Sequence, residues 1–357
     1  MPSGEPTIRD VAARAGVSKS LVSLALQNSS RVAPGTRQTI RRAAEELGYR
    51  PNAIARTLGA HRSRTIGVFV LDLHNPIYVD ILDGVQAEAH RLDYRTIVVV
   101  GSSDRRAERA ELDKLMEFRV EGLVTVGHRL PAGAGTAISE SCPAVLVGAE
   151  PRLPPHLVSV STDDIRGSAL AIDHLVALGH SAITHVTGGN NSVARKRERG
   201  YVQAMERHGL QARIRCIPGG FTDERGYQGT IAALGGDEPP TALFVANDFA
   251  AIGALAAAAD RGLEVPRDLS VIGYDGTRLS GLRSIGLTTV AQPLKEMGVA
   301  AATQLCSRLD TGQEGTRRIR MSPGLLVRTS TGPPPRHAGV SEARDRPRAA
   351  VSTTHPA

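Results

Sequence analysis

The chain has 357 residues, of which 41% are hydrophobic, and it carries 43 Lys and Arg against 36 Asp and Glu. This length exceeds what one compact core usually holds, so two or three domains are expected. No apolar run reaches the ~18 residues that a membrane span needs, and the first residues do not resemble a signal peptide, so a cytoplasmic protein with no membrane partner is expected.

The positive charge is concentrated at the amino end. Residues 1–64 contain 11 Lys and Arg against 4 Asp and Glu, whereas residues 65–332 contain 28 against 30. A basic segment on an almost neutral body indicates a polyanionic partner for the segment and a small or uncharged partner for the body. A solvated basic tail is the alternative interpretation.

The segment after residue 6 predicts two short helices joined by a tight turn. Thr7 and Asp10 have the spacing of a helix start, and IRDVAARA over residues 8–15 repeats its apolar residues at helical spacing. Gly16 ends this helix, and Ser18 can cap a second helix over 19–27. The two helices together form a helix-turn-helix unit.

The outer face of the second helix has no acidic residue, as a surface that enters a phosphate-lined groove requires. Val22, Ala25 and Leu26 are expected to pack on the first helix. The residues predicted to point away from it are Ser20, Ser23, Leu24 and Gln27. Lys19 could reach a phosphate or a guanine edge, and Leu24 a thymine methyl group. A solvated lysine, and a surface or dimer-contact leucine, are the alternatives.

A third helix is predicted from Pro34 to Leu47, with Arg37, Arg41 and Arg42 off its apolar stripe. These arginines are candidates for phosphate contacts or, equally, ordinary surface residues. Residues 51–59 then predict a helix of about two turns between a proline and a glycine. Such a short helix is marginal alone and would order only when something holds it.

The runs TIRDVAARAGVSKSLVSLAL and GTRQTIRRAAEELGYRPNAIARTL resemble the reader and hinge of the lactose-repressor/galactose-repressor (LacI/GalR) family. The resemblance continues to about residue 330. It implies that helix 19–27 enters the major groove and that helix 51–58 forms on operator DNA beside its dimer mate, with Leu58 wedged into the minor groove. Two readers on a two-fold homodimer imply a pseudo-palindromic operator of double-stranded DNA. The implied DNA-binding residues are Thr7, Ser18, Lys19, Ser20, Leu21, Ser23, Leu24, Asn52, Ala55 and Leu58.

The body alternates strand-like runs with helical stretches, which is the pattern of parallel α/β sheets. Nine strands are predicted, at residues 66–71, 96–100, 122–126, 144–147, 159–161, 183–186, 242–245, 271–273 and 287–290. This number exceeds one ordinary sheet, so two lobes are expected. The fold class is therefore an all-α helix-turn-helix head plus a two-lobed α/β core, which resembles periplasmic sugar-binding proteins.

Polar residues follow several of these strands, where ligands bind in such folds. By resemblance, the effector-binding positions are Asn75, Ile77, Tyr78, Arg197, Phe221, Asn247, Asp275 and Gln292. Lobe bridging or capping is the alternative for Arg197 and Asp275, turn chemistry for Asn75 and Asn247, and a core role for Tyr78. Gly148 stands where several relatives place a ligand-holding Asp, and the chain has no Trp.

The expected domains are a DNA-binding head over 1–48, a hinge over 49–64, a core over 65–332 and a disordered tail over 333–357. Lobe 1 comprises 65–162 and 292–322, and lobe 2 comprises 163–291 and 323–332. Three crossovers, near residues 162, 291 and 323, are expected to act as the hinge between the lobes.

The expected function is an operator-binding repressor controlled by a small-molecule effector, a sugar, with purines or nucleosides as the alternative. A regulator of the same family that responds to a protein partner is a further alternative. An enzyme is disfavoured because no catalytic triad, P-loop or dinucleotide fingerprint occurs. A secreted solute-binding protein would not need the head. Catalytic residues, cofactors and metals are not expected, and Cys142, Cys216 and Cys306 are expected to be reduced core thiols.

Overall fold

The computed structural model describes residues 6–26, 29, 31–49, 62–101, 105–127, 142–148, 157–313 and 317–335. Three helices form the head: α1 (Ile8–Ala15), α2 (Lys19–Leu26) and α3 (Pro34–Glu46). The backbone N–H and the hydroxyl of Thr7 each donate to the Asp10 carboxylate at 2.7 Å. Gly16 ends α1 with φ of 65°, a conformation that glycine adopts without a Cβ penalty. The Ser18 hydroxyl oxygen accepts from the Leu21 amide at 3.2 Å and so starts α2.

The head has its own small core, in which Val11, Val22, Ala25 and Ile40 are fully buried. These residues come from all three helices. Each helix alone is short, and its stability depends on burying this apolar face against the other two.

The body contains seven helices and twelve strands among the described residues. The helices are α4 (Pro76–Arg91), α5 (Arg105–Glu117), α6 (Asp164–Ala177), α7 (Ser192–Arg207), α8 (Asp223–Leu234), α9 (Asp248–Asp260) and α10 (Leu294–Thr311). The strands are β1 (Thr65–Val70), β2 (Arg95–Val100), β3 (Gly122–Val126), β4 (Ala144–Val147), β5 (Leu157–Thr162), β6 (Ile183–Val186), β7 (Arg215–Ile217), β8 (Ala242–Val245), β9 (Ser270–Asp275), β10 (Thr288–Ala291), β11 (Arg318–Met321) and β12 (Gly324–Leu326). No described helix is long and apolar enough to cross a membrane.

The strands form two six-stranded sheets, one in each lobe. The lobe 1 sheet has the order β11-β5-β4-β3-β1-β2, and the lobe 2 sheet has the order β12-β10-β9-β8-β6-β7. Within the described residues, β12 pairs antiparallel with β10 and the other pairs are parallel. The inner strands β1, β3, β4 and β9 are buried along their whole length, because helices cover both faces of each sheet. The predicted two-lobed α/β fold class is confirmed.

The chain passes between the two sheets at three places. These crossovers follow β5, β10 and β11, and the first and third are joined because the Asp163 amide donates to the Met321 carbonyl at 3.0 Å. All nine predicted strands occur within two residues of their predicted ends, whereas β7, β11 and β12 were not predicted. Most of the predicted tail lies outside the described residues. Residues 333–335 are described, and Pro334 lies beside Gly179.

The three cysteines are free, Cys142 and Cys306 being buried and Cys216 half-buried. Burial raises the pKa of Cys142 and Cys216 to about 11 and that of Cys306 to about 12. The thiols are therefore protonated near neutral pH. The free thiols agree with the prediction of reduced cysteines, and Cys142 and Cys306 lie in the core, whereas Cys216 is only half-buried.

Helices α4 and α10 of lobe 1 pack backbone against backbone. A Cβ atom at Gly84 would lie 2.1 Å from the Lys295 carbonyl oxygen, and one at Gly298 would lie 2.1 Å from the Ile81 carbonyl oxygen. Two glycines therefore set the separation of the two helices at this crossing.

Gly84→Ala is expected to lower the free energy of unfolding by about 1–3 kcal/mol, because the added methyl group forces the two helices apart. Denaturant unfolding of the full chain measures this loss. Gly35→Ala on α3 is the matched control, since nothing lies within 4 Å of its Cβ position. Equal stabilities of the two variants would show that the helix crossing tolerates a side chain.

Candidate functional site

A cavity of about 250 Å³ lies between the lobes, at the carboxyl ends of the strands. Leu71 and Gly148 follow strands of the lobe 1 sheet, and Asp275 ends β9 of the lobe 2 sheet. The carboxyl ends of both sheets therefore face one space, as expected for ligand sites of parallel α/β folds. The structure brings all eight predicted effector-binding residues into its wall: Asn75, Ile77, Tyr78, Arg197, Phe221, Asn247, Asp275 and Gln292.

Four helices begin at the cavity wall, each with a polar side chain at its start. The side-chain oxygens of Asn75, Asn191, Thr222 and Asn247 accept amide hydrogen bonds from the first turns of α4, α7, α8 and α9, at 3.3, 2.8, 3.3 and 2.9 Å. The turn chemistry considered for Asn75 and Asn247 is thus present, and it places both residues at the cavity. Because the positive ends of four helix dipoles meet here, the cavity favours electron-rich groups such as hydroxyl oxygens.

Arg197 of α7 is the centre of a buried polar cluster and is only 3% exposed. Its Nε donates to Asp164 Oδ1 at 3.1 Å and its Nη2 to Asp275 Oδ1 at 3.2 Å. Its Nη1 donates to the Ala246 carbonyl oxygen at 2.6 Å, and its guanidinium carbon lies 3.6 Å from the centre of the Tyr274 ring. Three of its five N–H groups are therefore engaged, which fixes the plane of the guanidinium.

The cluster also reaches the second crossover. Gln292, directly after β10, donates from Nε2 to Asp275 Oδ1 at 2.7 Å. Asp164, directly after the first crossover, bonds to Arg197 as well. The cluster therefore ties two of the three crossovers to the cavity wall. Asp275 bonds to the crossover residue Gln292, whereas the bonding partners of Arg197 all lie in lobe 2.

One guanidinium compensates two buried carboxyl groups in this cluster. Burial raises the pKa of Asp164 and raises that of Asp275 to about 7, while the Arg197 guanidinium lowers both. Asp248, whose pKa burial also raises, adds to the repulsion on Asp275. Ionisation of Asp275 is thus balanced near neutral pH, so a ligand hydroxyl that donates to it favours the charged form.

Asp275 is expected to make folding less favourable as the pH rises. Burial raises the pKa of its carboxyl group from the ordinary value of 3.8, which applies to the unfolded chain, to about 7 in the folded chain. The stability it contributes is complete below pH 3.8 and is lost as the pH approaches 7. Asp275→Asn should therefore show a smaller fall in stability between about pH 5 and pH 7.5 in urea unfolding.

Burial lowers the pKa of histidines such as His180 and His185, so their contribution to stability changes with pH in the opposite direction. This contribution is the same in the unchanged chain and in Asp275→Asn. The difference between the two slopes of stability against pH therefore reflects Asp275. If Asp275→Asn keeps the slope of the unchanged chain, Asp275 is already ionised below pH 5.

Two aromatic rings reach the cavity, one from each lobe, and each lies over a glycine. A Cβ atom at Gly127 would lie 2.7 Å from Tyr78 Cε1, and one at Gly188 would lie 2.4 Å from Phe221 Cζ. Tyr78 is half-buried and also packs on the lobe 1 core, so the ligand-wall and core interpretations both describe it. A Cβ atom at Gly148 would lie 4.0 Å from the Gly127 amide nitrogen, and the glycine gives lobe 1 no charged group at this position.

The cavity wall also contains residues that the sequence did not single out as site residues. The polar ones are Asp72, Thr162, Asp164, Asn191, Ser192 and Thr222, and the apolar ones include Ile81, Val147, Val193, Phe249 and Met297. Asn191 and Thr222 each stand three residues before an amide that they cap, a spacing that the sequence does show. The part played by Asp164 depends on Arg197, 33 positions away, and has no local signal.

In the head, the predicted DNA-binding residues are placed in two groups. Thr7, Ser18, Lys19 and Ser20 are exposed, whereas Leu21, Ser23 and Leu24 are half-buried. Leu24 was predicted to point away from the first helix, and together with Leu21 it packs against the core that all three helices share. Asn52, Ala55 and Leu58 lie outside the described residues, as does the predicted helix over 51–58.

The arginines of α3 differ in their surroundings. Arg37 was a candidate phosphate contact, but its Nη2 donates to the carbonyl oxygens of Ser29 and Val32 at 2.8 and 3.0 Å and so holds the loop before α3. Arg42 lies 3.3 Å from Glu46 and is exposed, so it is available to a phosphate.

Comparison with known proteins gives matches over both parts of the chain. Residues 7–52 match the family model of bacterial regulatory proteins, lacI family, and residues 172–331 match the periplasmic binding protein-like domain. The chain is 32% identical over 327 residues to the HTH-type transcriptional repressor CytR of Escherichia coli (strain K12), covering 91% of this chain and 96% of that repressor.

Two solved structures extend the comparison. The lac repressor dimer bound to operator and the anti-inducer ONPF has a TM-score of 0.81 and 31% identity, covering 92% of this chain and 100% of that one. A LacI family transcriptional regulator from Enterococcus faecium with bound ribose has a TM-score of 0.67 and 27% identity, covering 75% and 99%. On this similarity, which spans head and core together, the chain belongs to the LacI family and is a DNA-binding transcriptional regulator.

Proposed function

We propose that the chain is a repressor that binds a pseudo-palindromic operator as a homodimer, under the control of a sugar bound between its lobes. The observation that carries the effector proposal is the Asp164–Arg197–Asp275 cluster, which Gln292 joins at the cavity wall. Paired donors and acceptors on rigid elements suit the vicinal hydroxyl groups of a sugar ring. The ribose bound to the Enterococcus faecium relative supports this class of ligand.

The charges at the cavity favour a neutral ligand over a phosphate ester. Among the described lining residues, Arg197 is the one Lys or Arg, and its charge is already compensated by two carboxylates. Asp72 adds a further acid at the wall. The helix amino ends at the wall supply partial positive charge. A sugar phosphate or nucleotide would nevertheless meet no uncompensated Lys or Arg among the described lining residues and would face the Asp72 carboxylate, so a neutral ligand is favoured.

The size of the cavity supports a small ligand. Its volume of about 250 Å³ is just below the usual range of about 300–1,000 Å³ for small-molecule sites. A monosaccharide or a nucleoside suits this volume, whereas a longer oligosaccharide does not. The nucleoside remains the second candidate, because Tyr78 and Phe221 offer ring faces to a planar base.

In the head, we propose that α2 reads the operator. Its amino end presents Ser18, Lys19 and Ser20 to solvent, and no acidic residue lies within α2. In lobe 1, the exposed apolar residues Leu73, three residues before α4, and Val79, in its first turn, offer surface for the partner protomer. The lac repressor, a dimer bound to operator in its solved structure, supports the same assembly here.

Control would operate through a shift between two lobe arrangements. The cluster ties two crossovers to the cavity, so a ligand that bonds to Asp275 or Arg197 stabilises one lobe angle over the other. A differential affinity of about 1–3 kcal/mol would change operator affinity about 5- to 150-fold.

The experiment is thermal melting of the full chain with D-ribose, D-galactose, D-glucose, uridine, adenosine and ribose 5-phosphate. At about 100 times its dissociation constant, a bound ligand adds about 2.7 kcal/mol and raises the melting temperature by a few degrees. A rise with a neutral sugar supports the proposal, and a rise with a nucleoside alone favours the second candidate. No rise with any of the six counts against the sugar-sensor proposal.

Phe221→Leu tests the location of the site, because it removes the lobe 2 ring from the cavity. Its matched control is Phe118→Leu, which removes an exposed ring outside the cavity. The ligand-induced rise should shrink in the first variant and persist in the second. Equal rises would place the ligand elsewhere.

A further inference from the structure

A network of charged and polar groups holds the start of the core. Arg62 Nε and Nη2 donate to Glu121 Oε2 at 3.1 and 2.8 Å, and Arg62 Nη1 donates to Asp310 Oδ1 at 2.9 Å. The Tyr94 hydroxyl accepts from Arg62 Nη2 at 2.5 Å and donates to Asp310 Oδ1 at 2.9 Å. One guanidinium thus meets three partners from three different parts of lobe 1.

Arg64 adds a second attachment. Its amide donates to Glu121 Oε1 at 2.6 Å, and its guanidinium donates to the carbonyl oxygens of Leu92 and Asp93 at 2.7 and 3.0 Å and lies over the Tyr94 ring. Its φ of 44° is rare for a residue with a side chain, so the surrounding contacts must hold it. Isolated surface ion pairs contribute little, but a network that shares its acceptors fixes geometry.

The network joins the far ends of the two helices that form the cavity wall. Leu92 and Asp93 follow the last residue of α4, and Asp310 lies in the last turn of α10. Tyr78 of α4 and Met297 of α10, at the opposite ends of these helices, line the cavity. A helix of 16 residues, such as α4, is about 24 Å long. The helices are in backbone contact at Gly84 and Gly298, and such close packing resists the displacement of one helix relative to the other.

We propose that Arg62 and Arg64, held by Glu121, Asp310 and Tyr94, are positioning residues for DNA binding. The chain from the head joins the core at these two residues. They attach this junction to the helix pair that also lines the cavity. A rotation of lobe 1 therefore displaces this junction directly, and the two heads of a dimer keep the spacing that an operator requires. The inference rests on sequence-specific DNA binding but not on the proposed effector. The positioning role and the effector proposal can therefore fail independently.

A competing explanation is that Arg62 and Arg64 bind DNA phosphates themselves. Arginine variants do not separate the two, since both explanations predict weaker binding. Glu121→Gln does: removal of an acid that contacts the segment leading to the basic head should tighten DNA binding by electrostatics alone. If the acid positions the chain, its loss weakens operator binding instead.

The test measures the affinity of the full chain for an operator duplex selected by the unchanged protein from random-sequence DNA, and for a random duplex. Glu121→Gln and Tyr94→Phe should each weaken operator binding by about fivefold or more, without weakening binding to the random duplex. Weaker operator binding without weaker binding to the random duplex distinguishes a positioning role from a general loss of structure.

Asp173→Asn is the matched control, because it removes an acid bonded to Arg207 at 3.0 Å on lobe 2 and should leave both affinities unchanged. Tyr94→Phe removes a single hydroxyl group and stays informative if Glu121→Gln lowers the melting temperature. Operator affinity that is unchanged or tighter in either Glu121→Gln or Tyr94→Phe would overturn the proposal.

Discussion

Arg197→Leu is expected to lower the free energy of unfolding by about 3–5 kcal/mol and to abolish effector binding. The change leaves Asp164 and Asp275 buried without a cation and removes the donor to the Ala246 carbonyl. Burial already raises the pKa of both carboxyl groups, and the loss of the Arg197 guanidinium, which lowers both pKa values, is expected to raise them further. Urea unfolding measures the stability, and calorimetric titration with the ligand found by melting measures binding.

Arg207→Leu on the same helix is the control. Arg207 is exposed and pairs with the exposed Asp173, so its loss should cost about 0–1 kcal/mol and leave effector binding intact. Adding Asp275→Asn to Arg197→Leu should recover part of the stability, since one uncompensated carboxyl group is removed, but it should not recover binding. If Arg197→Leu were as stable as Arg207→Leu, the cluster would not organise lobe 2.

The inner strands could be predicted because their sequences are short apolar runs between turn residues, as at Ala144–Val147. Strands β7 and β11 could not, because their sequences, RCI and RIRM, contain arginines and their burial is partial. Both are edge strands, and β11 pairs with a strand that is distant in the sequence, since β5 lies more than 150 positions earlier. Local pattern contains no information about such pairing.

The cavity residues could be predicted because the carboxyl ends of parallel strands meet at one edge, so polar residues after different strands converge. The direction of individual side chains was less predictable. A rotation of 100° per residue places Leu24 away from α1 but does not reveal where α3 lies, and Leu24 packs on the shared core. Arg37 has the same difficulty, since its carbonyl partners come from the loop between α2 and α3.

Ser20→Glu is expected to weaken operator binding by about 100-fold or more. Ser20 is exposed on α2, within a helix that has no acidic residue. If α2 enters the major groove, the new carboxylate lies against phosphates, and such like-charge contact costs several kcal/mol. Each 1.4 kcal/mol changes affinity about tenfold. Fluorescence anisotropy with a labelled operator duplex at fixed salt measures the effect.

The control for this prediction is Gln38→Glu, which adds the same charge to the head at another exposed position. Gln38 stands seven residues before Glu45 on α3, so it shares a helix face that already holds an acid. This variant should lose only the small affinity that follows from a lower net charge. If both variants weaken binding equally, the loss reflects head charge alone and α2 has no special position. If neither variant binds the operator more weakly than the unchanged chain, α2 lies outside the groove. The absence of acidic residues along α2 then needs another cause.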